Sequence, residues 1–230
     1  MKTKPTIETG NYDSDKNLIK RKNFANLFKP KIDLTKNIIR LLKLRGKEKI
    51  LDVGCGNGDL LIELKTKYLH SGGLFGLDIA RGILSKAIET NKKEDARINF
   101  IEADGRKIPF PANNFDAVIL KHVLHNVPNY TKVISECNRV LKKEGKLAIA
   151  LTSKKTRLVI KKLKSEMAKN IKVDSYPDAE EYVNLEDTPK KLGGKYWKNI
   201  KIKSFLSRAI FKEAKPLIEY LESGRDFWGK

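Results

Sequence analysis

Three carboxylates recur at a constant interval of 26 residues, Asp52, Asp78 and Asp104, each at or just past the end of a short apolar run. Directly after the first comes the turn Gly54-Cys55-Gly56-Asn57-Gly58, then Asp59 and the apolar positions Leu60, Leu61 and Leu64. Alternating glycines let a backbone approach a ligand without Cβ clashes, and a helix opening there offers it free N–H groups. The spacing departs from the dinucleotide pattern GxGxxG, because Asp59 stands where the third glycine would fall and its carboxylate would repel a pyrophosphate. Asp78, twenty residues past Gly58, can accept hydrogen bonds from the cis hydroxyls of a ribose. Its competing role is the N-cap of the helix that starts near Arg81, and next to the glycine turn the ribose contact is the favoured reading. In Glu102-Ala103-Asp104-Gly105, Asp104 can accept from an adenine amine while Ile79 and Ala103 flank the ring; the alternative is an exposed loop acid.

Acids around an adenosine, with no phosphate to repel, suit a ligand whose tail is cationic. S-adenosylmethionine fits this, because it bears a sulfonium and an ammonium. Two histidines follow the fourth apolar run, His122 and His125, and either could act as a general base because imidazole titrates near neutrality. Packing is the competing role, and His125 is the stronger catalytic candidate of the two. Methyl transfer does not require a base: holding an acceptor in line at ~3–3.5 Å can supply ~7–11 kcal/mol. Cys55 lies in the glycine turn and Cys137 within a predicted helix, so neither is placed as a thiol nucleophile; no Cys or His spacing suggests a metal site.

The elements that must position these residues alternate. Strands are predicted at 49–53, 73–78, 97–101, 115–120 and 145–151, and helices at 59–69, 81–90 and 130–141. Nearly all-apolar strands such as Ala117–Leu120 belong in a parallel sheet covered on both faces. The fold class is therefore α/β: a Rossmann-like, doubly wound, mostly parallel sheet of seven strands with helices on both faces, the last one or two strands lying in 199–211. Ligands bind such sheets beyond the carboxyl ends of the strands, near the reversal of strand order. Residues 15–28 and 32–44 show helical spacing, and 1–44 is predicted as an N-terminal helical cap with Tyr12, Phe24 and Phe28 as lid aromatics or core staples. Residues 45–151 form the ligand-binding core. Residues 152–230 supply a substrate cover, chiefly 154–197 with a basic helix over 155–169 and a short helix near 179–183, then the closing strands and a terminal helix over 213–222.

The net charge of +20 is concentrated in the flanks, with 13 basic against 5 acidic residues in 1–48, 16 against 12 in 49–151, and 19 against 11 in 152–230. A basic exterior attracts RNA or anionic membrane surfaces; a solubilising surface is the plainer reading, since no basic run exceeds Lys20-Arg21-Lys22. No apolar stretch is long enough to span a bilayer and no secretory signal is visible, so the chain is expected in the cytoplasm.

The stretches Ile50–Leu61, Gly76–Ile79, Ile101–Phe115 and Arg139–Ile149 resemble the class I S-adenosylmethionine-dependent methyltransferases. Within them they are similar to the ubiquinone and menaquinone biosynthesis group (methyltransferase type 11). Ile108-Pro109-Phe110-Pro111-Ala112-Asn113-Asn114-Phe115-Asp116 looks like that group's approach to strand four. The resemblance covers about 45–151 and speaks to the cofactor, not the acceptor. It implies that Gly54 and Gly56 lie against the methionine moiety, that Asp52 faces its amino group directly or through water, and that Cys55 and Asn57 belong to the same cofactor-binding turn. Asp78, Ile79, Ala103, Asp104 and Gly105 would hold the adenosine, and Lys121 and His122 would line the methyl-donor end. The implied reaction moves a methyl group to an O, N or C atom of a small molecule or short peptide and leaves S-adenosylhomocysteine. An RNA methyltransferase and a non-catalytic S-adenosylmethionine-binding subunit are the rivals. The Asn/Asp-Pro-Pro-aromatic motif of amino-nitrogen methylation is missing, since Leu120-Lys121-His122-Val123 stands in its place.

Overall fold

In the computed structural model, residues 12, 14–156, 159, 162, 187–192, 197 and 199–223 are described. They fall into two units, one spanning Ile32–Ala150 with the residues just before Asn17, the other joining Asn17–Lys31 to the described residues from Leu151 onward.

The first unit is built on five strands, β1 (Ile50–Val53), β2 (Leu74–Asp78), β3 (Asn99–Glu102), β4 (Phe115–Lys121) and β5 (Leu141–Ala150), all paired in parallel in the order β3-β2-β1-β4-β5. Every residue of β1 is buried, and Ala117 through Leu120 are buried in β4, which a strand reaches only when both faces of its sheet are covered. α2 (Leu34–Leu42) and α3 (Asp59–Thr66) supply Ile38, Leu42, Leu60, Leu61 and Leu64 to one core cluster with Ile50, Leu74 and Ile119. α2 starts where Asp33 accepts the Lys36 N–H at 2.8 Å, and stops at Lys43, which turns left-handed at φ 53°. α4 (Arg81–Lys93) contacts β3, and α5 (Tyr130–Val140) buries Val133, Ile134, Cys137 and Val140 on its apolar stripe.

The Phe110–Asp116 stretch is a structural clamp at the amino-terminal rim of the sheet. Phe75, Phe110 and Phe115 meet edge to face at 4.9–5.5 Å, with Lys49 Nζ over Phe75 and Phe115 at 5.1 and 5.2 Å. Asp116 accepts the Lys49 backbone N–H at 2.8 Å and the Lys142 ammonium at 2.7 Å, while Arg139 of α5 donates to the carbonyls of Ile108 and Phe110 at 2.9 and 2.8 Å.

In the second unit, α1 (Lys16–Asn26, all but its first residue in this unit) and α7 (Lys215–Glu222) are joined by aromatics: Phe24 stacks on Tyr220 at 4.1 Å and on Phe211 at 5.5 Å, and meets Phe28 edge-on at 5.3 Å. Arg21 donates to the Ser223 carbonyl at 2.6 Å. α6 (Thr188–Leu192) precedes α7 in sequence. One sequence expectation is corrected. Residues 199–211 form no strand among the described residues; their one ladder contact is an isolated antiparallel bridge, Lys29 with Arg208. Alternation of apolar and polar residues marks one face of a strand, but a strand exists only where a second backbone receives its hydrogen bonds. Phe24 and Phe28, weighed as lid aromatics or core staples, pack on each other and, through Phe24, on Phe211 and Tyr220, while both stay partly exposed. Of the helix expected at 155–169, residues 155, 156, 159 and 162 are described and helical; its other residues, the helix expected at 179–183 and most of the 154–197 cover lie outside the described residues.

Candidate functional site

Strand order reverses between β1 and β4, so the crevice of the fold opens beyond Val53 and Lys121. Parallel pairing puts the carboxyl ends of β1, β2 and β3 on that same rim, with Val53 opposite Leu77 and Asp78 opposite Glu102. Asp52, Asp78 and Asp104 thus mark adjacent strand ends along one edge.

Asp52 pairs with Gly76 and Ile119 in the sheet interior, and only 1% of its surface is exposed. Neither carboxylate oxygen has a hydrogen-bond partner among the described residues. Burial drives its pKa up to about 7, the Asp78 charge adds to the rise, and the Lys121 ammonium opposes it. A buried acid without partners is expensive, and such groups mark sites that bind something.

The turn after β1 is held by β2. Gly54 and Cys55 N–H both donate to the Leu77 carbonyl, at 2.7 and 3.0 Å, and Gly58 N–H closes on Cys55 O at 3.0 Å. Gly54 and Gly58 adopt φ of 73° and 76°. A Cβ on Gly58 would lie 2.7 Å from the Phe100 ring, and one on Gly54 would run into Val123, just beyond β4. Those two glycines therefore serve packing as well as the turn. Asp59 opens α3, where a carboxylate complements the helix dipole.

Asp78 joins two turns. Its Oδ2 accepts Gly56 N–H at 2.8 Å and its Oδ1 accepts Ala80 N–H at 2.9 Å, while its own carbonyl accepts Ala103 N–H at 3.0 Å. The N-cap of α4 is Ala80, without a side-chain bond, so the capping role weighed for Asp78 is replaced by this bracing of the glycine turn. Burial pushes the Asp78 carboxyl up, against the backbone N–H groups of Ala80, Gly56 and Ile79. A carboxylate has about four lone-pair directions, so acceptor capacity remains.

Asp104 is engaged by its neighbour. Arg106 donates its backbone N–H at 2.8 Å and its guanidinium at 2.8–3.2 Å, and although partial burial raises the Asp104 carboxyl, these contacts hold it below the usual range. Ile79, Ala103 and Gly105 are partly buried beside it. Beyond β4, Lys121 is partly buried, whereas His122 is exposed and left-handed at φ 57°, its N–H bonded to Ala150 O at 3.1 Å. His125 sits partly buried in the 3-10 turn Leu124–Asn126. Cys55 is buried and its thiol pushed up by burial, which leaves it inert; Asn57 is partly buried in the turn.

Sequence reasoning missed Arg106, Val123, Phe100 and Asn126, which donates to the Tyr12 hydroxyl at 2.8 Å. Asp104-Gly105-Arg106 carried a local signal, an acid and a base two residues apart in a turn. The others are set by tertiary contact alone.

Residues 51–149 match a family model described as a methyltransferase domain. A demethylmenaquinone methyltransferase of Oceanobacillus iheyensis is 35% identical over 124 residues, covering 53% of this chain and 51% of the relative. One of Staphylococcus saprophyticus is 31% identical over 153 residues, covering 66% and 62%. The chain thus spans about half to just under two thirds of the length of these curated relatives. A crystal structure described as a SAM dependent methyltransferase from Aquifex aeolicus superposes with a TM-score of 0.55 at 20% identity, covering 77% of this chain and 84% of that one, a likeness of fold. Over residues 51–149 this chain is thus similar to a methyltransferase domain, carried on a Rossmann-like fold.

Proposed function

We propose that this chain is an enzyme that moves the methyl group of S-adenosylmethionine to an O, N or C atom of a small molecule. The observation that carries the reading is the buried Asp52 carboxylate, unpartnered at the one rim where the fold binds ligands. A cationic amine is the partner such a group lacks, and the residues around it suit the rest of the ligand. Asp78 would receive the ribose hydroxyls with its remaining lone pairs, and Ile79 and Ala103 would flank the adenine. Asp104, oriented by Arg106, would meet the exocyclic amine, with Gly105 allowing the close approach. Gly54, Cys55, Gly56 and Asn57 would present backbone to the methionine portion. Bound there, the cofactor supplies a methyl group on a cationic sulfur that departs as a neutral thioether.

The protein's own work is then orientation and exclusion of water. Lys121 and His122 stand at the donor end, and His125 is the candidate base for an acceptor that must lose a proton. The relatives' name, demethylmenaquinone methyltransferase, supports an acceptor of small-molecule size.

Incubating a cell extract with the chain and deuterated S-adenosylmethionine, followed by mass spectrometry, tests the reading. Label in a small-molecule fraction is the expected result. Label only in RNA would replace the acceptor class, and cofactor binding without any labelled product would make the chain a binding subunit.

A further inference from the structure

The described part of the second unit leaves several large aliphatic side chains in water. Leu206 is 73% exposed, Ile210 94% and Ile202 55%. They lie in a stretch, 199–212, that contains four basic residues, Lys201, Lys203, Arg208 and Lys212, and no acid. The stretch is fastened rather than loose. Lys29 and Arg208 exchange backbone hydrogen bonds at 2.7 and 2.8 Å, and Phe211 stacks on Phe24 at 5.5 Å. Lys203 Nζ lies 5.1 Å over the exposed Phe205 ring, so an ammonium and an apolar surface are offered together.

We propose that the strip from Ile200 to Lys212 docks this chain on an anionic lipid bilayer surface. Aliphatic side chains gain by entering the headgroup–acyl boundary, and lysines beside them meet lipid phosphates while their stems stay apolar. The composition separates this partner from two others. An RNA strand would use the basic residues and stack bases on aromatics, and would leave Leu206 and Ile210 without a role. A second copy of the same strip would set like charges against each other with no acid to compensate. The proposal does not rest on methyl transfer.

The test is co-sedimentation of the full chain with phosphatidylcholine vesicles containing phosphatidylglycerol, with phosphatidylcholine vesicles alone, and binding to a structured RNA. Binding to the anionic vesicles is expected, weakened roughly tenfold or more in Leu206→Ser/Ile210→Ser and roughly fivefold per charge removed in Lys201→Gln/Lys203→Gln. Both variants change exposed side chains and should keep the wild-type melting temperature and S-adenosylhomocysteine affinity, which separates a failure here from a failure of the catalytic reading. Absence of sedimentation with anionic vesicles would overturn the proposal. So would an unchanged affinity in the Leu206/Ile210 variant, which would assign the strip to RNA or to charge alone. A change of that variant's oligomeric state with no change in vesicle binding would assign it to self-association.

Discussion

Asp52 ties stability to function in opposite senses. Its folded-state pKa of about 7 lies above the unfolded value near 3.8, so the native state holds the proton more tightly. The unfolded chain is the more ionised between those limits, and stability should fall by roughly 1.4 kcal/mol per pH unit as pH rises through that window, then level off. Asp52→Asn should flatten that slope and raise the ligand-free stability above neutrality by ~4 kcal/mol at most, read by denaturant unfolding at several pH values. A slope unchanged in the variant would show that Asp52 is not the titrating group. Asp78→Ala should weaken S-adenosylhomocysteine binding by ~1–3 kcal/mol, and an unchanged dissociation constant would reduce Asp78 to a brace for the turn. The acids were legible because types and spacing carry them. The engagement of Asp104 by Arg106 carries only a local signal, an acid and a base two residues apart.

At the scale of elements, the glycine turn and the Ile108–Asp116 clamp lie at opposite rims and should respond to mutation differently. Gly58→Ala meets a left-handed backbone and the Phe100 ring together, so it should cost ~1–3 kcal/mol of stability and weaken cofactor binding as well. Arg139→Met removes the guanidinium that satisfies two loop carbonyls and Glu136, and should cost ~1–3 kcal/mol while leaving S-adenosylhomocysteine affinity unchanged. Loss of affinity in that variant would mean the clamp reaches the ligand rim. β1 and β4 were legible because buried parallel strands read as continuous apolar runs. The 199–211 strands were misread because alternation of apolar residues with lysine also describes a strip that faces outward. Most telling is Ile108–Asp116, the best match to the family pattern, which the structure places at the amino-terminal rim, where it holds α5 and the start of β1 rather than ligand.

For the molecule as a whole, the charge is informative once it is located. Residues 49–151 hold 16 basic against 12 acidic side chains and their crevice is acidic at Asp52 and Asp78, whereas the flanks hold most of the +20. A site lined by carboxylates suits a cationic ligand and opposes a phosphate-bearing one, which is why the positive flanks do not by themselves make RNA the acceptor. Composition could give the total and its segments, but not which basic residues stand beside exposed aliphatics, since that depends on the Lys29–Arg208 bridge and the Phe24 stack. The most direct measurement is calorimetric titration of S-adenosylhomocysteine into wild-type and Asp52→Asn protein across pH. If the buried carboxylate receives the ligand's ammonium, wild-type affinity rises about tenfold per pH unit up to neutrality with release of a proton, then plateaus, and the variant is weak and pH-independent. Equal affinity in both proteins at every pH would contradict the account.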